Sequence, residues 1–392
     1  MSFQSVLKLL LKKSVKSLQL SLNEWVAHLD EEISASAYSQ ARQKFRHTAF
    51  IELLEKGVID VMYGDGDYEK FRGRRLLALD ATSLRLPTTT ETQEHFGIIE
   101  RLNGNKTAHK SQVEAKLTVL YDVLNAIPIS AYLRRGRTSD LKASKSHLKD
   151  LRPQDIVVAD RAYGSYQFFS EIVQINSDFV IRCKRKTFER YHNLFTIDKK
   201  ETIVEIDAPA KLDGFPKKLQ LRFVRIPLAT GEIEVLATSL LDTKKFPYKE
   251  FKRLYYQRWK VETFFHTLKS RLCIDNFTGK TVESIYQDVY ATLFISGLES
   301  IITSEANEQL RNKNTKHPQQ VNKAISFHTI KHRVIELVFD PPPDFEEQIT
   351  NLFIKNPTLI RPERKKPPRK NPDAGRDRRS LYFQRYSKKH VF

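Results

Sequence analysis

Over the first 70 residues, apolar side chains recur at Val6, Leu9 and Leu10, then at Leu18, Leu20, Leu22, Trp25, Val26 and Leu29. That is roughly the spacing of one helical face, in a stretch with few glycines or prolines. The pattern predicts a small helical N-terminal domain over 1–70, closed by the turn-rich linker Tyr63-Gly64-Asp65-Gly66-Asp67. Beyond it the period changes. Leu76–Leu79 and Ile156–Ala159 are short, uninterrupted apolar runs that fit buried strands, and each ends on an aspartate, Asp80 and Asp160. Between them Val113–Leu124 and Ile127–Leu133, separated by a turn around Asn125, predict a hairpin. Strand-like runs continue from about Asp178 to Leu241 and predict a β-rich insertion. The helical period returns over Tyr248 to about Cys273 and in further helices to about Leu310, before Pro341-Pro342-Pro343 breaks the chain again. Strands mixed with helices in this order predict an α/β core. No internal repeat, P-loop or Rossmann glycine fingerprint interrupts it.

At 392 residues and 40% hydrophobic the chain can bury a large core, which excludes wholesale disorder. Two cysteines, Cys183 and Cys273, exclude a disulfide framework and a thiolate zinc site, and fit a reducing compartment. The run Val6–Leu11 is interrupted by Lys8 and followed by Lys12 and Lys13, too short for a secretory signal. Nothing approaches the ~20 apolar residues of a membrane span, so a cytoplasmic protein is expected. Its 66 Lys and Arg against 47 Asp and Glu leave a formal charge of +19, which points to nucleic acid or an anionic surface as partner. The excess is uneven. Residues 361–392 carry 12 basic and 3 acidic side chains together with four prolines. They read as a basic tail, either an arm for nucleic-acid phosphates or a solvated extension. The first 70 residues hold 9 basic and 10 acidic side chains, so DNA binding there cannot rest on net charge. Ser34 to Arg46, with Arg42 inside it, reads either as a helix-turn-helix recognition element or as an ordinary polar helix face.

Asp80 and Asp160 close apolar strands, and the carboxyl ends of strands are where open α/β sheets present side chains to a ligand. In the predicted helix after Tyr248, Tyr255, Arg258, Glu262 and Lys269 fall within about 60° of one another at ~100° per residue, with His266 beside them. Leu254, Val261, Phe265, Leu268 and Leu272 lie further round. The charged stripe reads either as the border of a cleft supplying a third carboxylate or as a solvated ladder of ion pairs such as Arg258 with Glu262.

The spacing Tyr255-x2-Arg258-x3-Glu262-x6-Lys269 resembles the Y-R-E-K signature of the DDE transposases of the insertion-sequence-four family. Leu79-Asp80-Ala81-Thr82 and Asp160-Arg161-Ala162-Tyr163-Gly164 resemble the family's first and second aspartate motifs, and Thr92-Gln93-Glu94-His95-Phe96-Gly97 also fits. Ser39-Gln40-Ala41-Arg42 and Asn276-Phe277-Thr278-Gly279-Lys280-Thr281 resemble segments further out. The resemblance implies a ribonuclease-H-like catalytic core over 71–300, with its β-rich insertion at about 178–245, a helical C-terminal region over 301–360 and the tail over 361–392. It implies that Asp80, Asp160 and Glu262 are catalytic and hold two Mg²⁺ ions, for which Mn²⁺ would substitute. Tyr255, Arg258 and Lys269 would then contact DNA, with Arg161, His266 and Arg42 as further contacts and Lys184, Arg185 and Lys186 as another basic patch. The expected reaction is cleavage of element ends and strand transfer by a homodimer on double-stranded DNA, at the nucleoid and away from membranes. A nuclease of the same fold without strand transfer and a non-catalytic DNA-binding descendant are the alternatives. Ala81 stands where the family often has glycine. The insertion has no tryptophan on which to stack a flipped base; Phe188, Tyr191 or Phe195 would have to serve.

Overall fold

The structure, a computed structural model, describes residues 1–13, 17–27, 32–102, 109–184, 198–210, 212–228, 230–335 and 339–360. Leu29, Arg185, Lys186, Phe188, Tyr191, Phe195 and the basic tail 361–392 lie outside the described residues.

The N-terminal region is helical, as its periodicity predicts. It forms α1 (Phe3–Lys12), α2 (Leu18–Val26), α3 (Ala35–Lys44), α4 (Thr48–Leu54) and α5 (Asp60–Gly64), the last two joined by a π turn at Glu55–Ile59. Ser2, Ser17 and Ser34 cap the first three, each side-chain oxygen accepting the amide proton of the residue three further on. Next come β1 (Leu76–Arg85), α6 (Thr90–Phe96), β2 (Ile98–Leu102), β3 (His109–Asp122), β4 (Ile127–Arg135), α7 (Asp140–Ser144), β5 (Ile156–Ala159), α8 (Tyr166–Gln174) and β6 (Asp178–Arg182). After β7 (Glu201–Asp207), β8 (Lys218–Pro227) and β9 (Ile233–Thr238) the chain turns helical again, in α9 (Tyr248–Tyr256), α10 (Trp259–Ser270), α11 (Val282–Ile302) and α12 (Ser304–Asn312). The remaining elements are β10 (Gln319–Val321), α13 (Lys323–Thr329), α14 (Phe345–Lys355) and β11 (Pro357–Leu359).

The chain divides into two compact units. One comprises Gly66–Ser83 and Ala115–His266. Its strands β1, β5 and β6 run parallel, with Leu76 opposite Ile156 and Leu79 opposite Ala159, and with Ala159 in turn opposite Ile181. Parallel strands are covered on both faces, which is why 76–79 and 156–159 are unbroken apolar runs, and all eight residues are buried. The expected hairpin is β3 and β4; at its turn Asp122 accepts the amide protons of Leu124 and Asn125, and Ala126 takes φ +58°. The strand order is β4-β3-β1-β5-β6-β9-β8-β7. Within the stretch expected as an insertion, β6 is therefore the third parallel strand, and only β7–β9 are added, antiparallel, along its edge. Arg222 on β8 is fully buried. It donates to the carbonyls of Leu240 and Phe246, pairs with Glu201 and lies 4.8 Å over the Phe251 ring, so it ties the added strands to α9.

The other unit comprises Met1–Asp65, Leu84–Glu114 and the described residues from Thr267 on. Here α11 is the central helix, almost wholly buried along its length, and α1 and α4 pack on it. The approach is close at Gly297, where a Cβ would stand 2.8 Å from Val58 Cγ1. Helices from the two ends of the sequence thus share one core, where the sequence read them as separate regions. The first part of β3 pairs with β2 in this unit, and Gly97 ends α6 at φ +82°, a left-handed position that favours glycine. No described helix is long and apolar enough to cross a membrane.

Candidate active site

The last paired residues of β1 and β5 are Leu79 and Ala159, so Asp80 and Asp160 stand at equivalent positions one step further along neighbouring strands. Equivalent positions share a face of the sheet. β1 itself runs on to Arg85, so Asp80 sits within a strand where the sequence placed it at an end. Both carboxylates are fixed by their own backbone: Asp80 Oδ1 accepts from Ala81 N at 2.8 Å and Asp160 Oδ1 from Ala162 N at 2.7 Å. Ala81 therefore still supplies this amide.

The single helix predicted over 248–273 is two. The amides of Gln257 and Arg258 donate three residues back, to Leu254 and Tyr255, so the chain tightens there before α10 begins at Trp259. α9 is held by Tyr248, whose hydroxyl donates to Arg225 O at 2.7 Å. α10 is held by Phe264 stacked 4.4 Å from Tyr121 and by Lys260, which donates to Val123 O at 2.8 Å. These fixings set Glu262 in the first turn of α10 and Arg258 just before it.

Arg258 is the hub. Its Nη1 lies 2.9 Å from Glu262 Oε1 and 4.0 Å from Asp80 Oδ2, and its guanidinium is 4.4 Å over the Trp259 ring. Its Nε is buried with no partner among the described residues. Burial pushes Asp80 up to about 6; the Ala81 amide and Arg258 oppose the rise, and the nearby Asp160 and Glu262 charges add to it. Asp80 is thus close enough to both other carboxylates to feel their charge. Tyr255 is buried beside them and its hydroxyl is pushed up by that burial, so it stays a proton donor at neutral pH. Two neighbours were invisible in the sequence. Arg182 follows Ile181 on β6 and pairs with Glu234 on β9 at 3.1 Å, and both exert charge on the Tyr255 hydroxyl. Strand register would have found Arg182, since Ile181 lies opposite Ala159.

The remaining expected residues scatter. Arg161 and His266 are exposed, as is Lys184. Lys269 belongs to the other unit, where its charge acts on the half-buried Asp275. Arg42 is no surface contact at all: it is 7% exposed, and its guanidinium donates to Gln287, Thr278, Ser284 O and Asp288 at 2.7–3.1 Å. Its family-like segment and that of Thr278 therefore meet in one polar network, which offsets the cost of burying the guanidinium.

Asp80, Asp160 and Glu262 offer only hard oxygen donors, and burial holds the Asp80 carboxyl above its usual range although Arg258 lies 4.0 Å away. The donor set fits a hard divalent cation such as Mg²⁺ or Mn²⁺. Among the described residues no three acidic, His or Cys groups already stand grouped as a metal cluster, and Arg258 partly fills the charge deficit.

Comparison with known proteins meets this geometry. The transposase InsG of insertion sequence element IS4 from Escherichia coli K12 is 21% identical over 274 residues, covering 68% of this chain but only 60% of that protein. A cryo-EM structure of a piggyBac transposase synaptic complex with hairpin DNA aligns over 95% of this chain and 79% of its own at 11% identity, with a TM-score of 0.47, too low to bear on the fold. The model of the transposase DDE domain matches residues 71–298, more than half of the chain and a span that takes in Asp80, Asp160 and Glu262 alike. On that match the chain belongs to the DDE-domain transposases.

Proposed function

We propose that this protein is a DNA transposase that nicks the ends of its element to free 3′-hydroxyls and joins them to target DNA. The observation that carries the reading is Arg258 set between Glu262 and Asp80, with the Asp160 charge acting on Asp80. The order β4-β3-β1-β5-β6, with the acids on β1 and just past β5, supports a ribonuclease-H-like core. Two divalent cations held by the three carboxylates, Mg²⁺ or Mn²⁺, would supply deprotonation of the attacking water or 3′-hydroxyl and relief of charge on the leaving oxygen. Asp80 and Asp160 hold their carboxylates on one sheet face through the amides of Ala81 and Ala162. Arg258 keeps Glu262 oriented and, through its planar fork, would be the residue to meet a DNA phosphate. The buried Tyr255 hydroxyl donates beside it. Lys269, Arg161 and His266 would add outer phosphate contacts. Recognition of the element ends falls to the N-terminal helices, through the exposed Gln40, Gln43 and Arg46 in place of Arg42. Two copies, each holding one end, are the expected assembly, on nucleoid DNA in the cytoplasm.

The test is incubation of the purified protein with Mg²⁺ and labelled DNA ends from the element flanking its gene, with Glu262→Gln as control. Nicks at the boundary and covalent end-to-target products, both absent in the variant, are expected. Cleavage without joined products would leave a nuclease. Binding without cleavage in either metal would leave a DNA-binding protein.

A further inference from the structure

Away from the acidic site, the unit built on α11 brings a second set of ligating side chains together. α13 runs straight into a π turn at Ile330–Val334, and His328 and His332 stand one turn apart across that junction. Their ring centroids are 4.4 Å apart with planes inclined by 35°, and both residues are exposed. The opposite face of the same segment is buried through Phe327, Ile330, Val334 and Ile335. The backbone beneath the pair is anchored: Ser326 donates to Glu299 on α11 at 2.6 Å, Lys323 pairs with the same carboxylate, and the Asn322 side chain caps α13. The neighbouring cations are turned elsewhere. Arg333 donates to Gln348 on α14 and lies over Phe345, and Lys331 lines a small cavity with Leu10, Leu11 and Leu272.

Two imidazoles four residues apart on a helical face can ligate one ion together, the spacing used by helix-borne zinc pairs. Imidazole nitrogen selects late first-row ions, whereas an all-carboxylate set selects hard ones such as Mg²⁺. A helix fixed by buried partners holds both rings without first ordering them, which favours binding. We propose that His328 and His332 form a bidentate site for a late first-row divalent cation, Zn²⁺ above all, with water completing its coordination. The bound ion clamps the junction of α13 with its π turn and adds stability independently of the acidic site.

The experiment uses the full chain in excess Mg²⁺, which occupies the carboxylates, and titrates Zn²⁺ by calorimetry into wild type, His328→Asn and His332→Asn. Loss of an outer-shell partner alone costs metal sites about 10- to 100-fold, so each variant should weaken the tightest Zn²⁺ binding by at least about ten-fold. Zn²⁺ should raise the Tm of wild type and leave that of either variant unmoved. Equal Zn²⁺ affinity in wild type and variants, or no saturable binding in wild type, overturns the site. Where a variant melts lower in EDTA, Cu²⁺ electron paramagnetic resonance on wild type decides: coupling to two nitrogens upholds the pair and coupling to one or none overturns it. Glu262→Gln should bind Zn²⁺ as wild type does, so failure of the catalytic reading leaves this one standing.

Discussion

Arg258 balances two carboxylates of the proposed site, so its replacements should separate orientation from charge. Arg258→Lys keeps a cation but loses the planar fork, and strand transfer in the labelled-end assay should fall by at least about ten-fold while folding is retained. Asp80→Asn and Glu262→Gln should each lower cleavage by at least about 100-fold, since each removes an oxygen donor from the transition-state charge. Asp80→Asn should not destabilise the metal-free fold, because it removes a carboxylate that burial and two nearby acids disfavour. A thermal melt checks both halves: Mg²⁺ against EDTA should raise Tm in wild type and not in Glu262→Gln. Another buried group governs acid stability. His147 accepts from or donates to Ser130 at 2.7 Å and Thr118 at 2.9 Å, and burial, helped by Arg134, lowers it from 6.5 to about 3. As pH falls the unfolded chain takes up this proton first. The contribution of neutral His147 is complete above about pH 6.5 and declines by up to ~1.4 kcal/mol per unit below it. Urea melts between pH 7 and 5 should show that slope, and His147→Gln should flatten it.

Among elements, α11 is the least tolerant of added volume. Gly297→Val should cost ~1–3 kcal/mol or more, because even the first added carbon would stand 2.8 Å from Val58 and the packed core has no room to yield. The measurement is a lower urea midpoint with an unchanged m-value. Elements were also where the sequence was most and least legible. Unbroken apolar runs announced β1 and β5 because parallel strands are covered on both faces, and each led directly to its aspartate. The stripe through Arg258 and Glu262 is legible too, and the structure sets its arginine between Glu262 and Asp80. The break at Gln257 and Arg258 carries no proline or glycine and so left no mark. Periodicity says that 179–181 is a strand but not which strand lies beside it, so β6 was grouped with the added strands and Arg182 went unseen. Arg42 was misread for a related reason: its partners lie 236–246 residues away, and a polar helix looks the same whether its arginine faces DNA or a buried aspartate.

For the molecule as a whole, charge is the property that sequence alone makes quantitative. Nearly half of the +19 excess sits in residues 361–392, with 12 basic and 3 acidic side chains. Deleting that segment should weaken DNA binding at every sequence alike and flatten the dependence of log K on log salt, with each lost phosphate contact reducing the slope by about 0.9. Fluorescence anisotropy across a salt series measures it; an unchanged slope would show that the tail makes no phosphate contacts. Helices α3 and α4 have one further consequence, which concerns time. Among the described residues the Arg42 guanidinium donates to Thr278, Ser284, Gln287 and Asp288, and Val58, in the π turn after α4, packs at Gly297. A ribosome adding roughly 5–20 residues per second delivers those partners on the order of tens of seconds after the N-terminal helices emerge. Until then the nascent chain carries its N-terminal helices without the partners that complete their core.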